Sequence, residues 1–105
     1  MTTILIVCGA GASSTFLAGR LRSIAAARGE SVSVQAASDD DIDSRLPSAD
    51  VLLVGSHLSS SFEILRDRAA DFGVPAGLLA STTFAPGGAE AAYDLFSALT
   101  TTQKD

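Results

Sequence analysis

The chain's one cysteine sits where it could do chemistry. Cys8 closes the apolar run Ile4-Leu5-Ile6-Val7 and is followed by Gly9-Ala10-Gly11-Ala12-Ser13-Ser14-Thr15. Gly9 and Gly11 permit backbone angles that bulkier residues resist, and Ala10 and Ala12 keep the segment lean. Successive N–H groups can therefore turn inward around an anion. A helix predicted to begin near Ser13 or Ser14 adds free amides and the positive end of its dipole. The hydroxyls of Ser13, Ser14 and Thr15 can donate to phosphate oxygens or cap that helix. The same field favours the Cys8 thiolate, the form that attacks, and would spread the charge of a transferring phosphoryl group. The bland alternative is a small buried hydrophobe, since free cysteine is among the most buried residue types. Placement between a strand and a Gly-x-Gly segment argues for the nucleophile.

Short apolar runs at Ile4–Val7, Val32-Ser33-Val34, Val51-Leu52-Leu53-Val54 and 74–79 read as strands. Between them run helical stripes: Leu17, Leu21, Ile24 and Arg28; Phe62, Leu65, Ala69 and Phe72; Ala92, Phe96 and Leu99. Phe62, Phe72 and Phe96 read most simply as core. Gly29 can cap the first helix. Ser38 before Asp39-Asp40-Asp41 can open a short helix carrying Ile42 and Leu46, which Pro47 should end. Ser59-Ser60-Ser61 reads as a loop and N-cap, Gly73 and Pro75 bracket the start of the fourth strand, and Pro86-Gly87-Gly88 separates it from the last helix. The tail from Thr100 to Asp105 is polar and is expected to fray.

Strands alternating with helices imply parallel βαβ units. The first and third runs are continuously apolar, as central strands covered on both faces must be, whereas Val32-Ser33-Val34 suits an edge. Right-handed crossovers favour an α/β fold: an open four-stranded parallel sheet, order 2-1-3-4, with helices on both faces. Ligands of such sheets sit beyond the carboxyl ends of the strands, at the switch point beside strand 1, which is where Cys8 falls.

Apolar residues make up 47% of the 105, enough for one core in a single domain spanning residues 1–105. A net charge of −5 argues against nucleic acid, whose binding is driven by cationic groups. One cysteine permits no internal disulfide and suits a reducing compartment. One cysteine and one histidine cannot close a zinc site, so no metal or other cofactor is expected. The apolar run after the N-terminus is too short for a signal-peptide core or a membrane span. A cytoplasmic protein is expected, not itself membrane-embedded and monomeric by default.

Cys-x-x-Gly-x-Ser-Ser-Thr after an apolar first strand resembles the phosphocysteine loop of the enzyme IIB component of the bacterial sugar phosphotransferase system, lactose/cellobiose type. Chain length, element order, Val51-Leu52-Leu53-Val54-Gly55 and Gly73-Val74-Pro75 are similar to that family's layout. The resemblance implies a phosphatase-like three-layer sandwich. It implies that Cys8 accepts phosphate from a histidine of a IIA component and passes it to a sugar held by a membrane IIC component. The amides of Gly9 through Thr15 would bind the phosphate, assisted by the Ser13 and Ser14 hydroxyls. The chain departs from the family at Ser56-His57-Leu58, where members carry Pro-Gln or similar, and at Phe84-Ala85, where they often carry Tyr-Gly.

Phosphatases and arsenate reductases of similar fold form the nearest rival class. They carry an arginine six positions after the cysteine, where this chain has Ser14, and an acidic residue in a later loop, with none here between Thr82 and Gly88. Gly9-x-Gly11-x-x-Ser14 with Asp39 is a near miss for a dinucleotide fingerprint. A redox sensor would lack a second, resolving cysteine, and a receiver domain would need an aspartate where strand 3 ends Val54-Gly55. His57, the only histidine, follows strand 3 on the same edge as Cys8 and reads as an exposed loop residue before it reads as an acid–base group. The cluster Asp39-Asp40-Asp41-Ile42-Asp43 reads as an acidic first turn before it reads as a cation site. Thr82 and Thr83 follow strand 4 and could border the site.

Overall fold

The computed structural model describes residues 2–7, 11–37, 42–79 and 88–103. Strands β1 (Thr2–Val7), β2 (Val32–Ala37), β3 (Val51–Val54) and β4 (Ala76–Leu78) form one parallel sheet in the order β2-β1-β3-β4. This is the topology expected from the sequence. Helices α1 (Gly11–Ala27), α2 (Ile42–Arg45), α3 (Phe62–Asp71) and α4 (Gly88–Gln103) alternate with the strands, joined by 3₁₀ turns at Leu46–Ser48 and Ser56–Ser61.

Alternation along the central strands builds two cores, because successive side chains of a strand point to opposite faces. Ile4 and Ile6 of β1, with Val51 and Leu53 of β3, face α1 and α4, where Leu17, Leu21, Ala92, Tyr93 and Phe96 meet them. Leu5, Val7, Leu52 and Val54 face the other way, onto Ile42, Leu46, Leu65, Ala69 and Val74. All eight strand residues are inaccessible to solvent, which explains the unbroken apolar runs. In register, Val7 pairs with Val54 and Val54 with Leu78, so the three strands end together at one edge.

Two helices end in the same way. At the end of α1, the Gly29 amide donates to the Ala26 carbonyl (3.1 Å) and the Glu30 amide to Ala25 (2.9 Å), with Gly29 at φ +71°. At the end of α3, the Gly73 amide donates to Ala70 (3.0 Å) and the Val74 amide to Ala69 (2.9 Å), with Gly73 again at φ +71°. Both are left-handed glycine caps that satisfy the last carbonyls of a helix.

Tyr93 is fully buried between α4 and the turn after α1. Its hydroxyl donates to the Glu30 carboxylate, Arg28 lies over its ring at 4.8 Å, and Phe96 meets it edge-on at 5.2 Å. Burial first, then the hydrogen bond to Glu30 and that group's charge, raise its pKa to about 12.

Several sequence expectations need correction. α1 begins at Gly11, not at Ser13 or Ser14, because Gly11 and Ala12 accept helical angles and alanine is the best helix former. Phe72 is 48% exposed at the end of α3 and is not core, since the helix stops at Asp71 and the glycine cap turns the chain away. Arg28 lies beyond α1 and is exposed. Pro47 does not end the second helix abruptly but opens a 3₁₀ turn, where its missing N–H costs nothing. Ser61 precedes α3 without a side-chain capping bond. β2 extends past Val34 to Ala37, and β4 occupies only Ala76–Leu78 of the predicted 74–79. Gly88, read as part of the turn before the last helix, is the first residue of α4, and α4 runs on through Thr100 to Gln103, where the sequence suggests a fraying tail. The proposed cap at Ser38, the carboxylates Asp39 to Asp41, the turn Pro86-Gly87 and the last two residues, Lys104 and Asp105, lie outside the described residues.

Candidate functional site

The elements around the cysteine are well defined. β1 ends at Val7, which is fully buried, and α1 begins at Gly11. Cys8, Gly9 and Ala10, which lie outside the described residues, connect the two in sequence. The candidate residues Gly11, Ala12, Ser13, Ser14 and Thr15 are the first five of α1. Their amides belong to the helix head, the first of them free of intrahelical partners.

The sheet edge beside this junction is tied down. The Gly55 amide donates to the Val7 carbonyl at 2.7 Å, and the Leu79 amide to Val54 at 2.7 Å. The ladder thus runs one residue past the strand ends, and the chain leaving β3 starts beside the chain leaving β1. His57 lies in the 3₁₀ segment that follows, two residues past Gly55.

Charge placement singles out α1. α2, α3 and α4 each carry a carboxylate in the first turn, at Asp43, Glu63 and Glu90, where it complements the helix dipole. The first turn of α1 has none and offers serines instead. The positive end of a helix of 17 residues, about 25 Å long, is left without a side-chain anion of its own. This arrangement can hold an incoming anion and favour a thiolate beside it.

The other candidates fall away from this point. Asp43 sits in α2 and pairs with Arg68 at 3.8 Å, consistent with an acidic first turn. Among the described residues no group of three or more His, Cys, Asp or Glu could hold a metal ion. Thr82 and Thr83 lie outside the described residues. Arg20, the arginine nearest the loop in sequence, is stacked over the Phe16 ring at 5.8 Å. Sequence reasoning assigned Phe16 no role, although its position off the Leu17-Leu21-Ile24 stripe signals exposure. It is 57% exposed. Among the described residues no helix is long and apolar enough to cross a membrane.

The family described as PTS system, Lactose/Cellobiose specific IIB subunit matches residues 3–82, a span that includes the whole Cys8–Thr15 segment. No curated protein matches the chain. Among solved structures, the lactose-specific IIB component domain of the phosphoenolpyruvate:carbohydrate phosphotransferase system from Streptococcus pneumoniae is similar, with a TM-score of 0.77 at 13% identity. The alignment covers 93% of this chain and 96% of that one. The cellobiose-specific phosphotransferase IIB component protein from Borrelia burgdorferi superposes with a TM-score of 0.72 at 21% identity, covering 95% and 93%. At these identities the likeness speaks to the fold, which is the one described above.

Proposed function

The chain belongs to the lactose/cellobiose-specific IIB family of the phosphotransferase system, and from that premise we propose that it is a cytoplasmic phosphocarrier working through a phosphocysteine at Cys8. The observation that carries this reading is the head of α1. It follows the central strand by three residues, and among the described α-helices it is the one whose first turn brings no carboxylate.

Phosphate arrives on a histidine of a IIA component docked over the segment. The Cys8 thiolate attacks phosphorus in line with the N–P bond. The S–P bond forms as the N–P bond breaks, and the imidazole leaves with the electron pair. The amides of Gly9 through Ser13, with the Ser13 and Ser14 hydroxyls, bind the equatorial oxygens, whose charge the helix head stabilises, while the amides of Ser14 and Thr15 are committed to the helix that begins at Gly11. In the second transfer a hydroxyl of a sugar held by the membrane IIC component attacks. The O–P bond forms as the S–P bond breaks, the hydroxyl proton passes to water, and the thiolate leaves with the electron pair.

A carrier must hold its phosphate between partners. The phosphatase reading needs a guanidinium clamp six residues after the cysteine, where Ser14 stands. Arg20 is six residues further along the helix, about 9 Å in axial rise, with its guanidinium stacked on Phe16. Both features favour storage over hydrolysis.

The test is Cys8→Ser. It should abolish phosphate acceptance from the donor with the circular dichroism and melting curve of the wild type retained. Normal uptake by the variant would refute the assignment. Steady release of inorganic phosphate from an aryl phosphate by the wild type would favour the phosphatase reading.

A further inference from the structure

We propose that the exposed flank of α1 built from Phe16 and Arg20 is the docking surface for the protein that donates the phosphoryl group, a partner that meets it with an apolar contact inside an acidic rim. The proposal rests on the carrier reading above and adds the residues and chemistry of donor recognition.

Phe16 has no role in either core. Leu17 and Leu21 of the same helix are buried, and Ile24 is partly so, whereas Phe16 is 57% exposed. Among the described residues it meets Arg20, one turn on, whose guanidinium lies 5.8 Å from the ring centroid. Aromatic residues and arginine are among the residue types enriched at protein interfaces. Beyond Arg20 the surface dips into a recess lined by Arg20, Ser23, Ile24 and Glu90, which extends the patch towards α4.

The charge of the helix selects the partner. α1 carries Arg20 and Arg22 and no carboxylate, while the other 88 residues hold five basic and twelve acidic groups. Among the described helices and strands, α1 alone has net positive charge. On a chain of net charge −5, a positively charged helix that begins at the proposed phosphate site draws an acidic partner towards that end of the molecule.

Both residues lie within reach of a donor centred on the head of α1. Phe16 lies about 7.5 Å and Arg20 about 13.5 Å along the helix from Gly11. A footprint of about 800 Å² per partner has a radius of roughly 16 Å. A donor centred on the helix head and lying along this flank covers both residues.

The experiment measures the initial rate of Cys8 phosphorylation against the concentration of isolated phosphorylated IIA donor, for wild type, Phe16→Ala and Arg20→Glu. Each variant should raise KM for the donor about tenfold, with kcat within about twofold. The Arg20→Glu effect should shrink as ionic strength rises. Alkylation of Cys8 by iodoacetamide should proceed at the wild-type rate in both, showing an intact loop. Unchanged KM in both variants, or a fall in kcat alone, would overturn the docking surface while leaving the carrier reading in place. Normal acceptance followed by slow transfer to sugar would also overturn it, by assigning the patch to the acceptor. A wild type that takes no phosphate at all would remove the carrier reading and the docking surface with it.

Discussion

Tyr93 is the only tyrosine in a chain without tryptophan, so its ionisation can be followed in the near ultraviolet without interference. In the folded protein its pKa is pushed up to about 12, by burial first and then by the hydrogen bond to Glu30. In the unfolded chain it returns to about 10. Below pH 10 the phenol is protonated in both states, and the stabilisation from the buried hydroxyl is fully present. Between pH 10 and 12 the unfolded chain loses its proton and the folded one keeps it. Unfolding is then favoured, and stability falls as pH rises. The loss amounts to at most about 3 kcal/mol, from roughly 1.4 kcal/mol per pKa unit. Tyr93→Phe removes a hydrogen bond to a charged acceptor that is itself exposed to water. This should cost roughly 1–2 kcal/mol near pH 7, lowering Tm by on the order of 10 °C. The deficit should narrow above pH 10, because the phenylalanine variant has no proton to lose. Glu30→Gln should lower the folded-state midpoint only part of the way towards 10, since burial remains. Phenolate absorbance rising with the same midpoint in native and denatured protein would refute this reasoning, as would a Tyr93→Phe deficit independent of pH.

Other perturbations test the packing and the site. A Cβ added at Gly77 would lie 2.9 Å from Leu99 Cδ1 and 3.0 Å from Leu95 Cδ2. Gly77→Ala should therefore cost about 1–3 kcal/mol and lower the urea midpoint, with Gly77→Val worse. Gly29→Ala and Gly73→Ala share φ +71° and open surroundings, so each should cost about 1 kcal/mol, and their melting shifts should agree. Gly11→Val should slow phosphate acceptance in the donor assay more than it lowers Tm, because the helix head must approach the phosphate closely; equal activity at equal stability would argue against the cradle.

Much of the fold was legible because its central strands are extreme. Ile4 to Val7 and Val51 to Val54 are apolar at every position, which only strands covered on both faces tolerate, and the sheet order follows from them. Gly29 announced its helix end through the left-handed angle it supplies. Boundaries were less legible. Gly11 and Ala12 read as loop because the chemistry suggested a nest, yet nothing in their types forbids helix. Phe72 continued a spacing that the glycine cap at Gly73 cuts short. Tyr93 gave no sequence signal of its partner, since Glu30 is 63 residues away and the contact exists only once α4 crosses the turn after α1. Around the candidate site, the strand before Cys8 and a helix soon after Ala10 were readable. The contrast in first-turn carboxylates among the four helices needed their starts to be located first.

The central claim is that phosphate resides covalently on Cys8. Intact mass followed by peptide mapping, after incubation with phosphoenolpyruvate, the general phosphotransfer proteins and candidate IIA components, tests it most directly. One added phosphoryl group, mapped to the peptide containing Cys8 and released on passing to a sugar in the presence of the IIC component, is the expected result. An unmodified Cys8, or phosphate found on His57 or a serine instead, would contradict it.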